Sequence, residues 1–277
     1  MAELGLGDWA GGASRPRPTR RWERLIRRAR DRLVLLGATP RADGPVVLAA
    51  AAVAAASLVF LAFPALDIGV SALFHQVGAG FPLAQDPGLR ALRASSNLVQ
   101  TALILGLLGR LVWVLARHQP VASARRCGYL LAALALGPGL VINGLFKANW
   151  GRPRPIAVDL YGGDAPYQPV WVISDWCQSN CSFVSGEASA ASWMVAAVLV
   201  LVPGRYRAPA LAVAMLYALA LSVNRLAFGG HFLSDVVLSW SISAVIFTAL
   251  YKVMVSAPGV ARRARQRGPR AVVPASA

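Results

Sequence analysis

The sequence contains few charged side chains, and very few of them are acidic. Charged residues make up 14% of the 277 residues, and only 12 residues are Asp or Glu. About a quarter of the residues in an ordinary soluble domain are charged, so this chain lacks the polar side chains that a water-exposed surface requires. The composition therefore argues against a soluble enzyme, a coiled coil or a disordered regulator. It indicates a protein that is solvated largely by lipid.

Cysteine and histidine are also scarce, with three residues of each type. Cys177 and Cys181 form an isolated Cys-x3-Cys pattern without a matching histidine or second cysteine pair, which argues against a metal site. We therefore expect neither a metal nor another cofactor. If their side of the membrane is oxidising, the two thiols can form a disulfide just before Ser185; the alternative is two free thiols.

Apolar residues, by contrast, make up 56% of the chain and are concentrated in long runs. A helix needs about 20 mostly apolar residues to span a bilayer. Six runs approach that length, namely Val46–Phe63, Asn97–Ala116, Cys127–Phe146, Ser185–Val202, Ala208–Leu226 and Phe232–Ser256. The first run follows 45 residues that are too many for a cleavable signal peptide. The sequence thus predicts an all-α, polytopic bundle of six transmembrane helices over residues 46–256.

The segment between the first two runs has a helical pattern of its own. Leu66, Val70, Leu73 and Phe74 have the spacing that brings side chains onto one face of a helix. This pattern is consistent with an interfacial helix on the outer surface, and equally with an irregular loop.

Basic residues outnumber acidic ones by 28 to 12, which gives a formal net charge of +16. A soluble protein of this charge would be a candidate for nucleic-acid binding. Here the arginines cluster beside apolar runs, in residues 1–45, in residues 257–277 and in two of the connecting loops, as expected for cytoplasmic flanks of a membrane protein. We therefore predict two basic cytoplasmic tails, the second of them disordered, and no nucleic-acid partner. The other three connections then lie on the outer side.

Four polar groups lie at the predicted outer ends of the helices, where charged residues are costly and often functional. Cations come from the end of the third and fifth runs, at Lys147, Arg154 and Arg225. They would form a clamp for phosphate oxygens, because an Arg fork matches phosphate and Lys adds a point charge. Ser185 and Gly186 begin the fourth run, where free N–H groups and the helix dipole favour an anion.

His231 and Asp235 begin the sixth run and are four residues apart, so they share a helix face. A carboxylate can hold one imidazole nitrogen there and leave the other free as a nucleophile or base. Together with the cationic clamp, this pair indicates phosphoryl transfer through a phosphohistidine.

The same residues resemble the three motifs of the type-2 phosphatidic acid phosphatase superfamily. The matching segments, in the family's order, are Lys147 to Arg154-Pro155, Val184-Ser185-Gly186-Glu187, and Asn224-Arg225 followed by His231 and Asp235. The resemblance implies an integral-membrane lipid phosphatase that uses no metal. It further implies that His231 is the phosphorylated nucleophile, that Asp235 orients it, and that Lys147, Arg154, Ser185, Gly186 and Arg225 hold the phosphoryl group.

One departure from the pattern concerns the chemistry directly. Glu187 stands where the family has a histidine that is thought to protonate the leaving group. Burial would raise the pKa of Glu187 towards the working range of an acid, whereas nearby cations would lower it. Three alternatives follow: Glu187 is a working acid, the leaving group is good enough to need none, as in a diphosphate, or turnover is lost.

We therefore expect a lipid phosphatase that acts at the outer face on a phosphate or diphosphate, such as phosphatidic acid, a polyprenyl diphosphate or lipid A. A lipid phosphotransferase would share every motif, and a protein that only binds or transports lipid phosphates is the alternative outside enzymes. Richness in Ala and Arg suggests a GC-rich bacterium, and hence an inner-membrane protein with both termini in the cytoplasm and a periplasmic or extracellular site.

Overall fold

The computed structural model describes residues 44–118 and 120–256, and within these ranges it contains helices but no β-strand. The main helices are α1 (Gly44–Ala62), α2 (Ala65–Ala72), α3 (Pro87–Ala116), α4 (Val121–Leu134), α5 (Gly186–Leu201), α6 (Gly204–Ala227) and α7 (Leu233–Tyr251). Helix α4 continues as a π-helix over Ala135–Phe146 and a last turn, Lys147–Asn149, and α7 continues as a π-helix over Lys252–Ser256. Short 3-10 helices occur at Pro82–Gln85, Pro155–Ala157 and Asp159–Tyr161. The all-α prediction is confirmed.

The predicted basic tails fall mostly outside the described residues, which omit residues 1–43 and 257–277. Gly44 and Pro45, assigned to the first tail from the sequence, instead begin α1.

Five helices in the described part of the chain are long and apolar enough to cross a membrane: Gly44–Ala62, Pro87–Ala116, Val121–Asn149, Gly204–Ala227 and Leu233–Ser256. The fourth predicted span corresponds to α5, which has only 16 residues. The chain is therefore a multi-pass membrane protein, and the count of six spans stays a prediction.

Helix α5 lies in the middle of the bundle and packs against α4, α6 and α7. Its buried face is rich in small residues, including Ala188, Ser189 and Ala191, which allow neighbouring helices to approach closely. Ser189 exchanges a 2.7 Å hydrogen bond with Ser243 of α7. Trp193, fully buried, donates its indole N–H to the carbonyl of Leu130 in α4 at 2.8 Å.

Helix α3 begins ten residues before the predicted start at Asn97, so that boundary was wrong. Asp86 caps the helix by accepting a 2.8 Å hydrogen bond from the N–H of Leu89, and Pro87 occupies the first helical position, where its missing N–H costs nothing. The early turns carry Arg90 and Arg93, which a search for apolar runs excludes. The consequence is that two arginines lie on a regular helix at the site end of the bundle.

Helix α4 changes to π-helical geometry around Pro138, whose ring nitrogen cannot donate the next helical hydrogen bond. Asn143 donates to the carbonyl of Pro138 at 2.6 Å, which satisfies one acceptor in this segment. A Cβ atom on Gly186 would lie 2.5 Å from Oδ1 of Asn143. Glycine therefore allows the beginning of α5 to pack directly against the π-helix.

Helix α2 shows that the segment predicted to lie on the outer side is partly helical, and half of its predicted apolar stripe faces the bundle. Val70 and Phe74 are partly buried and pack against the cluster of Leu226 and Val236. Leu66 and Leu73 of the predicted apolar stripe are exposed, whereas Asp67 and Ser71 are buried. The reason is that α2 packs through polar contacts onto the start of α7, where Asp67 accepts hydrogen bonds from both Oγ and N of Ser234.

Candidate active site

The polar residues singled out from the sequence come from four elements that meet at one end of the bundle. Lys147 begins the last turn after the π-helical extension of α4, Glu187 lies in the first turn of α5, Arg225 lies in the last turn of α6, and His231 lies in the turn before α7. Lys147 and Arg225 lie near enough to His231 to lower its pKa. Nε of Arg225 lies 3.4 Å from Oε2 of Glu187, and Arg154 is also near enough to interact electrostatically with Arg225. The structure therefore brings the predicted cations, the carboxylate and the histidine together.

His231 is fully enclosed, with 1% of its surface exposed. Its Nδ1 lies 2.8 Å from the carbonyl oxygen of Ser182. Because a carbonyl only accepts hydrogen bonds, this contact requires a proton on Nδ1. In the neutral imidazole the lone pair is then on Nε2, and among the described residues Nε2 has no hydrogen-bond partner.

The surroundings of His231 favour the neutral ring. Burial lowers the pKa of His231 to about 4, Arg225 and Lys147 act in the same direction, and Asp235 opposes the shift. At neutral pH the imidazole is therefore uncharged, with a defined tautomer and an available lone pair on Nε2.

Asp235 does not hold His231 directly, which corrects the role predicted for it. The distance from Oδ2 of Asp235 to Nδ1 of His231 is 3.8 Å, too long for a hydrogen bond. Oδ2 instead accepts hydrogen bonds from the hydroxyl group of Ser182 and from the backbone N–H of Phe232, while Oδ1 accepts one from Arg152 at 2.6 Å. Asp235 thus positions the histidine through Ser182, whose side chain it binds and whose carbonyl binds the imidazole.

Arg152 joins Asp235 to a second buried carboxylate, Asp67 of α2. Its Nη1 donates to Asp235 at 2.6 Å and to Ser234 at 2.9 Å, and its Nη2 donates to Asp67 at 2.8 Å. The side chains of all three charged residues are fully buried. Burial alone would lower the pKa of Arg152, but the two carboxylates more than offset this and raise it, so Arg152 stays charged.

Two of the predicted clamp residues, Arg154 and Arg225, lie against the backbone of neighbouring segments. Nε and Nη2 of Arg154 donate to the carbonyl of Asn180 at 3.1 Å and 2.8 Å. Asn180 lies within a loop that a disulfide closes between Cys177 and Cys181. Arg225 packs so closely on Gly230 that a Cβ there would lie 2.3 Å from its Nη2.

Glu187 is held by an arginine that the motifs do not include. Nη2 of Arg93 donates to Oε1 of Glu187 at 2.8 Å, and Nε of Arg93 lies 3.1 Å and 3.2 Å from the two carboxylate oxygens. Nε of Arg225 lies 3.4 Å from Oε2, a distance of an ion pair without hydrogen-bond alignment. Glu187 therefore bridges a guanidinium from α3 and one from α6, and this geometry is that of an ionised carboxylate.

Ser185 caps α5 rather than standing free beside the histidine. Its Oγ accepts from the N–H of Ala188 at 3.3 Å, and its own N–H donates to the carbonyl of Asp235 at 3.1 Å. The backbone donors available to an anion at this helix start are therefore those of the first turn, beginning with Gly186, which have no acceptor within the helix.

A cleft of about 590 Å³ opens beside these residues. Its lining combines Arg154, Arg225, Glu187 and Gly230 with residues of the first turns of α3, namely Arg90, Arg93, Ala94, Ser96 and Asn97. The arrangement can bind an anionic head group next to a neutral, oriented histidine, which is the combination that phosphoryl transfer requires.

Sequence reasoning missed three residues of this site: Asp67, Arg93 and Ser182. The capping signal of Asp86-Pro87 could have extended α3 and so included Arg93. The partner of Arg93 lies 94 residues away, and that of Asp67 lies 85 residues away, so no local pattern connects them. Within the described ranges, no group of three or more His, Cys, Asp and Glu side chains could hold a metal ion.

Comparisons with known proteins identify the family of the chain. The family model of the PAP2 superfamily matches residues 127–257. A lipid A 4'-phosphatase of Rhizobium leguminosarum is 36% identical over 208 residues, which cover 69% of this chain and 88% of the relative. Similar enzymes of Rhizobium etli, 34% identical over 69% of this chain and 80% of the relative, and of Francisella tularensis subsp. novicida, 35% identical over 64% and 81%, carry the same name. No solved structure matches the chain significantly.

Proposed function

From the premise that this chain belongs to the PAP2 superfamily and is a lipid phosphatase of that type, we propose that it removes a phosphate from lipid A through a phosphohistidine on His231. The relatives named lipid A 4'-phosphatases support this substrate and the 4' position, because the chain covers 88% and 80% of the two from Rhizobium. The motif residues all lie inside the aligned family region, residues 127–257.

The observation that carries the mechanism is the state of His231. Its Nδ1 is committed to the carbonyl of Ser182, its ring is neutral, and its Nε2 has no partner among the described residues. A lone pair that is buried, oriented and unpaired is suited to attack phosphorus.

In the proposed first step, the Nε2–P bond forms as the bond between phosphorus and the sugar oxygen breaks. A water molecule in the cleft protonates the leaving sugar oxygen, and the proton that the attacking water loses in the second step neutralises the resulting hydroxide. Lys147, Arg154 and Arg225 neutralise the equatorial phosphoryl oxygens, and the first N–H groups of α5 add donors. In the second step water attacks the phosphohistidine, phosphate leaves, and the neutral ring is restored. The net reaction consumes one water and yields the sugar alcohol and inorganic phosphate.

Glu187 is better suited to arranging cations than to donating a proton. Its two oxygens are engaged by Arg93, and Arg225 lies 3.4 Å away, so the carboxylate is stabilised in its charged form. This favours, among the alternatives from the sequence, a role in which Glu187 pairs with the arginines and holds Arg225 beside the reacting phosphate.

We further propose that the end of the bundle with the cleft faces the periplasm and that both termini lie in the cytoplasm of an inner-membrane protein. The basic residues at the opposite end support this orientation. Arg117 follows α3, Arg125 is the fifth residue of α4, and Arg205 is the second residue of α6.

The test is phosphate release from lipid A by the purified protein in detergent with EDTA. We expect release that is lost in His231→Ala and retained in His118→Ala, the same change at an exposed histidine just after α3. Phosphohistidine hydrolyses in acid, so an acid quench is unsuitable. The intermediate formed from lipid that carries a labelled phosphate is therefore trapped and detected under alkaline conditions.

Each part of the proposal has its own contrary outcome. Release that persists in His231→Ala would refute the nucleophile, and inhibition by EDTA would refute a metal-independent reaction. Transfer of the phosphate to an added lipid acceptor instead of to water would identify a phosphotransferase, which shares all the motif residues.

A further inference from the structure

The cleft carries more positive charge than one reacting phosphate needs. Four guanidiniums line it, those of Arg90, Arg93, Arg154 and Arg225, against the single carboxylate of Glu187. A phosphate monoester carries a charge of about −1.5 to −2 near neutral pH. Lys147, Arg154 and Arg225 together already exceed that charge, and Glu187 offsets the charge of Arg93. The remaining cation is Arg90.

Arg90 is placed to act outside the phosphoryl site. It lies three residues before Arg93, so the two side chains share one face of α3, and Arg90 is about 4.5 Å further along the helix axis. Arg90 is exposed to the cleft, and no residue of the described ranges forms a hydrogen bond or ion pair with its guanidinium. Asn97, four residues after Arg93, continues the same face with an uncharged amide.

The position of Arg90 on α3 also indicates which kind of anion its guanidinium can bind. Arg93 lies between Arg90 and the phosphoryl site, because its guanidinium holds Glu187, which in turn reaches Arg225. The second phosphate of a diphosphate shares an oxygen with the reacting phosphate and would therefore lie at Arg93 or Arg225. An anion at Arg90 has to belong to a more distant part of the head group.

We propose that Arg90 forms a second anion subsite that binds a phosphate or carboxylate of the lipid head group remote from the phosphate that is cleaved. The inference rests on the proposed function, since it concerns the same substrate. An Arg fork binds such oxyanions through paired hydrogen bonds. The subsite makes the enzyme select head groups with two well-separated anionic groups over those with one.

The experiment compares Arg90→Gln with Arg110→Gln, a matched change at an exposed arginine further along the same helix, away from the cleft. Each variant and the wild type receive lipid A with two phosphates and lipid A with the 4'-phosphate alone, in uncharged detergent. Loss of one charge-assisted pair corresponds to about a tenfold change. We expect Arg90→Gln to lower kcat/KM about tenfold for the doubly phosphorylated lipid and less than about twofold for the other. Arg110→Gln should match the wild type.

Two results with active enzyme would overturn the subsite. An equal loss on both lipids would mean that Arg90 serves the reacting phosphate or the fold, and no loss on either would mean that it does not contact the substrate. A third contrary result is a loss on the singly phosphorylated lipid that appears only when an anionic phospholipid is added to the micelles, since Arg90 would then bind the membrane surface.

Soluble sugar phosphates separate failure of the subsite from failure of the proposed function. If the wild type hydrolyses no lipid A, binding of glucose 1,6-bisphosphate and glucose 6-phosphate to His231→Ala is measured by calorimetry. Tighter binding of the bisphosphate that is lost on adding Arg90→Gln would support the subsite without the lipid A activity. Equal binding of the two sugars would refute it.

Discussion

Replacing Asp67 by Asn tests whether the histidine depends on a carboxylate that lies outside all the motifs. The side chain of Asp67 is fully buried, and its oxygens accept from Arg152 at 2.8 Å, from N and Oγ of Ser234 at 2.7 Å and 2.6 Å, and from Tyr167 at 3.2 Å. An Asn side chain keeps one acceptor oxygen and has no charge. Its NH2 group would face hydrogen-bond donors of Arg152, Ser234 or Tyr167, with which it cannot pair. Arg152 would then retain one of its two carboxylates, Asp235.

The magnitude follows from the burial of the pair. Removing one partner from a buried ion pair costs about 3–5 kcal/mol. For a chain of this size, each kcal/mol corresponds to about 2–4 °C in the melting temperature, so Asp67→Asn should melt about 10 °C below the wild type. Because Arg152 also holds Asp235, which fixes Ser182 and through it His231, we expect kcat to fall by about tenfold with little change in KM.

The measurement is thermal unfolding of the detergent-solubilised protein together with steady-state kinetics. Asp86→Asn is the matched control, since Asp86 caps α3 through one exposed contact and Asn caps helices equally well. A melting temperature for Asp67→Asn within about 2 °C of the control would refute the cost assigned to the buried pair. A normal kcat in a clearly destabilised variant would refute the link from Asp67 to His231.

Two further predictions concern pH and the disulfide. Because the pKa of His231 is lowered to about 4, the Nε2 lone pair is protonated only as the pH falls through that value. The kcat at saturating lipid should therefore stay level from pH 7 to about pH 5 and then decrease. A decrease of kcat centred near the ordinary pKa of histidine would contradict a buried neutral ring. Replacing Cys177 and Cys181 together by Ser should raise KM about threefold, because the loop whose Asn180 carbonyl binds Arg154 is no longer closed. A reductant should raise the KM of the wild type in the same way and leave the double variant unchanged. If the reductant also changes the KM of the double variant, the effect arises from Cys127 instead.

The sequence was sufficient for the residues that lie at helix ends and insufficient for those that reach across the bundle. Lys147, Arg225 and His231 could be expected near one another because alternating spans bring every second helix end to the same side. The carboxylates were harder to interpret. Asp235 was expected to bind the imidazole from the spacing of four residues, yet in the structure its oxygens are taken by Arg152, Ser182 and the N–H of Phe232.

The same limit explains the errors in the helices. Hydropathy located the apolar part of α3 but not its first turns, because Arg90 and Arg93 interrupt the apolar pattern while leaving the helix intact. In α2, the apolar periodicity predicted the packed positions of Val70 and Phe74 but not the burial of Asp67, because the partner of Asp67 is remote in sequence. Long-range ion pairs of this kind have no periodicity from which they could be read.

The contact between Arg93 and Glu187 has a consequence for how such sequences diverge. The two side chains belong to different helices and compensate each other's charge, so their contributions are not additive. Introducing the family's usual histidine at position 187 alone would leave Arg93 beside Arg225 without a counter-charge. The two positions therefore form an epistatic pair: across related proteins, a carboxylate at the one should accompany a cation at the other.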